Sequence, residues 1–285
     1  LWNDRRIVVQ EKPNMQTPPN RFKQALAARQ PQIGLWLGLS SPYAAEVCAG
    51  AGFDWLLIDG EHTPNDLATV LHHAQVIAAY PGVNAVARIP LGLGHVGQML
   101  IKQYLDLGIE TLLVPMIDTA EQAAEVVRSM RYPPQGVRGM GGARGSRWGR
   151  YPAYPKEANA QVCLLVQAET QLALDNLDAI VATDGVDGVF IGPSDLSASM
   201  GHVGNAAHPQ VQAAIEDAIR RITGAGKAAG ILTIDEAQAR RYLDLGATFV
   251  AVGLDHNVLS RGLATLIGKF KTATPAPAPT GGNPY

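Results

Sequence analysis

The chain has 285 residues, enough for one large α/β domain or two ordinary ones, and 47% of them are hydrophobic, ample for a core. A formal net charge of -2 leaves no broad basic field for nucleic acid or an anionic membrane, so the expected partners are small molecules and further copies of the same chain. Cys48 and Cys163 stand far apart in apolar contexts and indicate neither a disulfide framework nor a cysteine metal centre, and with no apolar stretch of roughly 20 residues and no secretory signal after Asp4-Arg5-Arg6 the chain reads as cytoplasmic.

In chain order, residues 1–18 read as a flexible extension in which Met15 is the expected native start, followed by the helical pattern Arg21-Phe22-Lys23-Gln24-Ala25-Leu26. Short β-branched or apolar runs then recur near 33–39, 55–59, 83–89, 111–117, 162–168, 186–191, 229–234 and 248–253, each followed by helical spacing. Ser41-Pro42, Thr63-Pro64-Asn65, Asp118-Thr119 and His208-Pro209 carry helix-start chemistry, and Gly52, Gly108 and Gly246 suit helix ends. Eight βα units over 19–271 predict a single α/β domain, a (β/α)₈ TIM barrel, with an open doubly wound sheet as the alternative. The glycine-rich stretch 136–148, between the fourth and fifth runs, is expected as a mobile loop over the barrel mouth. Residues 272–285, with Pro275-Ala276-Pro277-Ala278-Pro279, are expected to be a flexible tail.

Glu169 and Asp195 each stand just past the end of an apolar run. On neighbouring parallel strands they would emerge at one sheet edge, where two carboxylates suit a hard divalent cation such as Mg²⁺ or Mn²⁺. Each taken singly could instead cap the next helix. In Ile58-Asp59-Gly60-Glu61-His62 a histidine follows the second run, able to move protons beside a carboxylate that orients it, although a loop histidine is often simply solvated. Arg88 ends the third run, placed either to bind an anion or to form a rim salt bridge.

These positions, with residues 32–39, Gly52-Phe53-Asp54-Trp55-Leu56-Leu57-Ile58-Asp59-Gly60-Glu61-His62, Thr111-Leu112-Leu113-Val114-Pro115-Met116 and the stretch from Gly185 to Ser197, resemble the HpcH/HpaI aldolase family, specifically its 4-hydroxy-2-oxoheptane-1,7-dioate aldolases. The resemblance spans about Arg21 to Phe270. It implies a (β/α)₈ barrel assembled as trimers or hexamers with C-terminal helix exchange, and a class II pyruvate aldolase that needs a divalent metal (Mg²⁺, Mn²⁺ or Co²⁺) and no organic cofactor. By the same resemblance Glu169 and Asp195 are the metal carboxylates, with Glu61 in the metal-water network. His62 and Asp59 form the proton-transfer dyad, Arg88 holds the keto oxygen, and Asp106 is an acid reaching the dyad across a subunit interface. Gln167, Trp36 and Leu232 are substrate-binding, and the turn Gly192-Pro193-Ser194 receives the pyruvate carboxylate.

The family default implies succinic semialdehyde as the aldehyde product, with 2-keto-3-deoxy sugar acids as the alternative substrates. The segment Pro90 to Gly97 and the arginine-containing insert at 138–150 depart from the family pattern, which leaves the aldehyde half open. A Schiff-base aldolase would need a lysine at the mouth, whereas Lys102, Lys156 and Lys227 end no run. Gly92-Leu93-Gly94-His95-Val96-Gly97 fits G-x-G-x-x-G and raises a nicotinamide-dependent oxidoreductase as a reading of another class.

Overall fold

The computed structural model describes residues 15–271; positions 1–14 and the tail 272–285 lie outside the described residues. Eight strands, β1 (Gln32–Leu37), β2 (Trp55–Asp59), β3 (Asn84–Arg88), β4 (Thr111–Val114), β5 (Cys163–Ala168), β6 (Gly188–Ile191), β7 (Ala228–Leu232) and β8 (Phe249–Leu254), pair in parallel in sequence order. β8 returns to β1 and closes the barrel, so the open-sheet alternative falls.

The strands are apolar on both faces because both faces are covered. Trp55, Leu57, Val86, Leu113, Leu165 and Phe249 fill the barrel interior, while Leu56, Ile58, Ala87, Leu112, Leu164 and Val250 pack under the outer helices. Phe22, from the helix Arg21–Ala27, joins the interior cluster with its ring 5.8 Å from Trp55 and 6.1 Å from Phe249. That plug closes the N-terminal end of the barrel and leaves the C-terminal end for chemistry.

Helix starts follow the expected caps at Ser41, Thr119 and His208, whose side chains accept from Ala44, Gln122 and Gln210 amides. The helix after β2 starts later than Thr63-Pro64-Asn65 suggests, at Leu67 behind the cap Asp66. Thr63 Oγ1 and Asn65 Nδ2 instead donate to the Asp59 carbonyl at 2.5 and 2.7 Å, tying down the loop that carries His62.

The insert corrects the sequence expectation. The helix Ala120–Met130 carries the chain away from the mouth before the insert begins, so residues 136–148 lie toward the N-terminal end of the barrel. There Arg138 is buried, ion-paired to Asp106 at 2.8 Å and stacked 4.5 Å from the Tyr132 ring, and Arg144 donates to the Leu107 carbonyl. Arginine side chains, whose partners a composition argument does not supply, pin a stretch that its glycines alone would leave loose.

Cys163 is buried, Cys48 half-buried, and both are free thiols. Among the described residues no helix is long and apolar enough to cross a membrane.

Candidate active site

Strand side chains alternate between interior and helix layer, so interior positions advance in steps of two. Trp55 and Leu57 lead to Asp59, Val86 leads to Arg88, and Cys163 and Leu165 lead to Gln167. Three polar residues thus crown the interior at the C-terminal ends of β2, β3 and β5, the end where such barrels hold their chemistry.

The register of β2 on β3 sets Asp59 opposite Arg88. Arg88 donates Nε to Asp59 Oδ1 at 2.9 Å and Nη2 to Oδ2 at 2.7 Å, while Nη1 meets Glu61 Oε2 at 2.9 Å. Trp36 Nε1 donates to Asp59 Oδ2 at 3.1 Å, and the Trp36 ring lies 5.0 Å from the guanidinium carbon. Burial by itself would raise Asp59, but the hydrogen bonds and charge of Arg88 hold its carboxyl below the ordinary range. Arg88 is both a salt-bridge partner and a wall of the cavity. Of the five N–H donors a guanidinium offers, two stay free for a ligand.

Glu169 is buried at the end of β5, with Oε1 accepting from Met116 N at 2.8 Å and Oε2 from Gln167 Nε2. It does not cap the next helix, because Thr170 does so through Ala173 N. Burial, reinforced by the charges of Asp195 and Glu61, pushes its carboxyl up to about 7 against those two hydrogen bonds. Asp195 stands in the first turn of the helix Pro193–Ser199, one turn past its N-cap Gly192, so it is not the cap either. Glu61 is likewise raised, chiefly by burial, with Arg88 and His62 opposing and Asp59 and Asp195 adding to it.

Among the described residues no group of three His, Cys, Asp or Glu side chains converges closely enough to hold a metal alone. Two carboxylates still fit a hard cation whose remaining positions go to water and substrate. Gln167 Oε1, buried beside Glu169 without a hydrogen-bond partner, adds an oxygen facing nothing that satisfies it. Gly192 makes the cradle: a Cβ there would lie 2.6 Å from Glu169 Oε2.

A cavity of about 390 Å³ brings together Trp36, Asp59, His62, Arg88, Gln167 and Asp195, with Gly192, Pro193, Ser194 and Leu232 in the same wall. The His62 ring lies 3.8 Å from Glu61 Oε2, and Asp59 reaches His62 through the backbone amide, at 3.4 Å, rather than through the ring. The pair expected as a side-chain dyad is therefore linked differently, because Asp59 already serves Arg88, Trp36 and the Glu61 amide. Asp106 ends the helix Gly94–Asp106, paired with Arg138, and does not line this cavity in the single chain. His256, Gly38, Thr63, Phe190 and Leu254 line the cavity, and none of them was given a site role from the sequence. For Asp255-His256 the signal was present, since they follow the eighth run as Glu169 follows the fifth.

The G-x-G-x-x-G stretch has another explanation. A Cβ on Gly97 would strike the Gly92 backbone and one on Gly92 would strike Val114, so both glycines allow close approach. Gly94 N donates to Glu125 Oε1 at 2.8 Å, placing a carboxylate where a pyrophosphate would sit.

Residues 32–261 match the family model described as HpcH/HpaI aldolase/citrate lyase. The chain belongs to the HpcH/HpaI aldolase/citrate lyase family. Among its HpcH/HpaI relatives is a hydroxypyruvate/pyruvate aldolase of Deinococcus radiodurans, 61% identical over 271 residues, which cover 93% of this chain and 96% of that protein. A 4-hydroxy-2-oxo-heptane-1,7-dioate aldolase of Klebsiella pneumoniae is 58% identical over 253 residues, 88% of this chain and 94% of that one. The crystal structure of an HpcH/HpaI aldolase/citrate lyase family protein from Burkholderia cenocepacia superposes with a TM-score of 0.84 at 40% identity, covering 88% of this chain and 98% of that one. As a member of the HpcH/HpaI family the chain is an enzyme, an aldolase-type carbon–carbon lyase on a closed barrel.

Proposed function

We propose that this enzyme is a divalent-metal-dependent pyruvate aldolase that reversibly cleaves 4-hydroxy-2-oxoacids to pyruvate and an aldehyde. The observation that carries this reading is the meeting of an oxygen-only anionic corner with a fixed guanidinium: Asp195 and Arg88 line one cavity, and the buried Glu169 carboxylate lies directly behind two of its lining residues, accepting from Gln167 and packed against Gly192. The hydroxypyruvate/pyruvate aldolase among the relatives supports pyruvate chemistry, and the 4-hydroxy-2-oxo-heptane-1,7-dioate aldolase supports a 4-hydroxy-2-oxoacid substrate.

Glu169 and Asp195 would hold the cation, which when bound supplies Lewis-acid polarisation of the 2-keto oxygen. The turn Gly192-Pro193-Ser194 and the amide of Gln167 orient the carboxylate end of the substrate. His62, at the open rim beside Glu61, takes the proton of the C4 hydroxyl as the C3–C4 bond breaks and the electron pair passes into the pyruvate fragment. Glu61 Oε2 lies 3.8 Å from the His62 ring, and Asp59 fixes the loop by accepting from the Glu61 and His62 amides. The free donors of Arg88 stabilise the negative oxygen of the enolate, and return of a proton to its carbon gives pyruvate.

Among the described residues no lysine lines the cavity to support an imine route. Lys102 and Lys156 lie in helices, and Lys227 Nζ donates to the Val186 carbonyl, at the opposite end of the barrel from the mouth.

Assembly into trimers or hexamers with exchange of the last helix is part of the same proposal. The helix Asp255–Gly268 buries only Asp255 and meets the barrel at its start, leaving Val258, Leu259, Leu263, Leu266 and Ile267 uncovered. Tyr43 and Val47, on the helix Pro42–Ala49, are also exposed. Apolar surface of that extent suits a second copy of the chain. Such packing is also how Asp106 would reach a neighbouring site.

The test is release of pyruvate from a synthetic 4-hydroxy-2-oxoacid by chelator-treated protein, with and without added Mg²⁺, Mn²⁺ or Co²⁺, and with borohydride present in a parallel sample. Metal-restored cleavage without a covalent adduct supports the proposal. Metal-independent cleavage with a borohydride-trapped lysine contradicts it.

A further inference from the structure

One wall of the cavity has no role in the steps above. Asp255 follows β8 and is buried, its Oδ1 accepting from the amides of Gly38 at 2.8 Å and His256 at 2.6 Å, and its Oδ2 from Leu39 at 3.2 Å. Three backbone donors lock this carboxylate, and the next residue with it, onto the end of β1.

That next residue is His256, whose ring rests on Gly38. A Cβ at position 38 would lie 2.6 Å from His256 Nδ1 and 3.1 Å from Cε1, so glycine there is what gives the imidazole its seat. His256 Nδ1 also lies 3.5 Å from Asp255 Oδ1, which leaves Nε2 as the nitrogen available to a ligand. The ring lines the same cavity as His62, in a wall shared with Leu232 and Leu254.

The charge around it narrows what it can meet. Asp59 and Asp195 line the cavity, its arginine is paired with Asp59 and Glu61 and keeps its two free donors for the enolate oxygen, and among the described residues no lysine lines it. Pro193, Ser194, Leu232 and Leu254 also border an adjoining cavity of about 310 Å³, whose polar lining includes Asn205, Thr233, Asp235 and Gln238 and again no lysine or arginine. Apart from the two donors of Arg88 reserved for the enolate, a second carboxylate on the aldehyde would meet carboxylates, neutral amides and imidazoles in this region. A hydroxyl would meet an imidazole fixed in place.

We propose that His256, seated on Gly38 and braced by Asp255, is a specificity-determining residue that hydrogen-bonds a hydroxyl on the carbon next to the aldehyde. The preferred acceptors in the carbon–carbon bond-forming direction are then short neutral hydroxyaldehydes, ahead of the semialdehydes of dicarboxylic acids. This inference rests on the aldolase reading and assigns its acceptor half.

The test uses the whole protein with Mn²⁺ and pyruvate, comparing kcat/KM for glyceraldehyde, propanal and succinic semialdehyde in wild type, His256→Ala and His256→Asn. A ratio of two acceptors measured within one protein cancels any loss of folded enzyme. Wild type should favour glyceraldehyde over propanal by about tenfold, and His256→Ala should remove most of that ratio through the KM for glyceraldehyde. His256→Asn, which keeps a side-chain donor, should recover part of it. An unchanged ratio in His256→Ala, or a wild-type preference for succinic semialdehyde, overturns the assignment. If the wild type still exchanges the methyl protons of pyruvate with solvent, the aldolase reading survives that result; absence of exchange with every metal overturns both.

Discussion

Arg88 holds Asp59 with two parallel hydrogen bonds, Nε to Oδ1 at 2.9 Å and Nη2 to Oδ2 at 2.7 Å, both residues being the last of adjacent paired strands. A buried guanidinium is thereby presented to the cavity as a rigid fork. Its position is determined by strand register and not by a flexible loop, which is what preorganised stabilisation of a developing negative charge requires.

Replacing Asp59 with asparagine leaves Arg88 buried without its bidentate partner. We expect a loss of about 3 kcal/mol in urea unfolding, and a fall of about a hundredfold in kcat for pyruvate release. Because Asp59 titrates below the ordinary carboxylate range, its contribution is present at neutral pH and is lost only as pH falls beneath that range. The stability difference between wild type and variant should therefore persist through mildly acidic pH.

Gly192→Ala tests the cradle. The added Cβ would lie 2.6 Å from Glu169 Oε2 and 2.9 Å from Glu169 Cβ, so this carboxylate must move. Metal affinity measured by calorimetry should fall at least about tenfold while circular dichroism remains that of the wild type. Unchanged affinity would show that Glu169 is not a ligand.

Much of this was legible in the chain. Eight apolar runs became eight strands because a strand buried on both faces must be apolar throughout; Arg88 was conspicuous at the end of such a run and Glu169 and Asp195 just past the ends of theirs, while Gln167 was pointed to by the family resemblance alone. What composition could not convey was direction. The insert at 136–148 follows a helix that leads away from the mouth, so counting one more element would have placed it at the far end. Side-chain partnership was also hidden: Asp59 stands three residues from His62, yet its carboxylate is taken up by Arg88 and Trp36, which only strand pairing brings near. Gly38 and His256 lie at opposite ends of the sequence and meet because β8 closes on β1.

Glu110, at the entrance to β4 and remote from the site, supplies a pH test of the fold. Burial raises its carboxyl to about 7, so the folded protein holds this proton more tightly than the unfolded chain does. Stability should decline as pH rises from the ordinary carboxylate range through about 7, with the loss complete above that. Glu110→Gln removes the penalty and should be more stable than wild type by about 1–2 kcal/mol near pH 8, the two converging near pH 4, as followed by thermal unfolding.

The uncovered face of the last helix predicts assembly. Leu263→Glu combined with Ile267→Glu puts two charges on that face, and light scattering should show the wild-type oligomer reduced to the mass of one chain. A wild type that already has the mass of one chain would contradict the exchange of this helix.

The central claim is that Glu169 and Asp195 hold a cation that activates pyruvate, and exchange of the pyruvate methyl protons in D₂O, followed by NMR, tests it without choosing an aldehyde. Chelator-stripped protein should exchange slowly, recover on adding Mg²⁺, Mn²⁺ or Co²⁺, and fail to recover in Glu169→Ala. Folded wild-type protein that binds one of these ions and still exchanges no methyl protons would contradict the account.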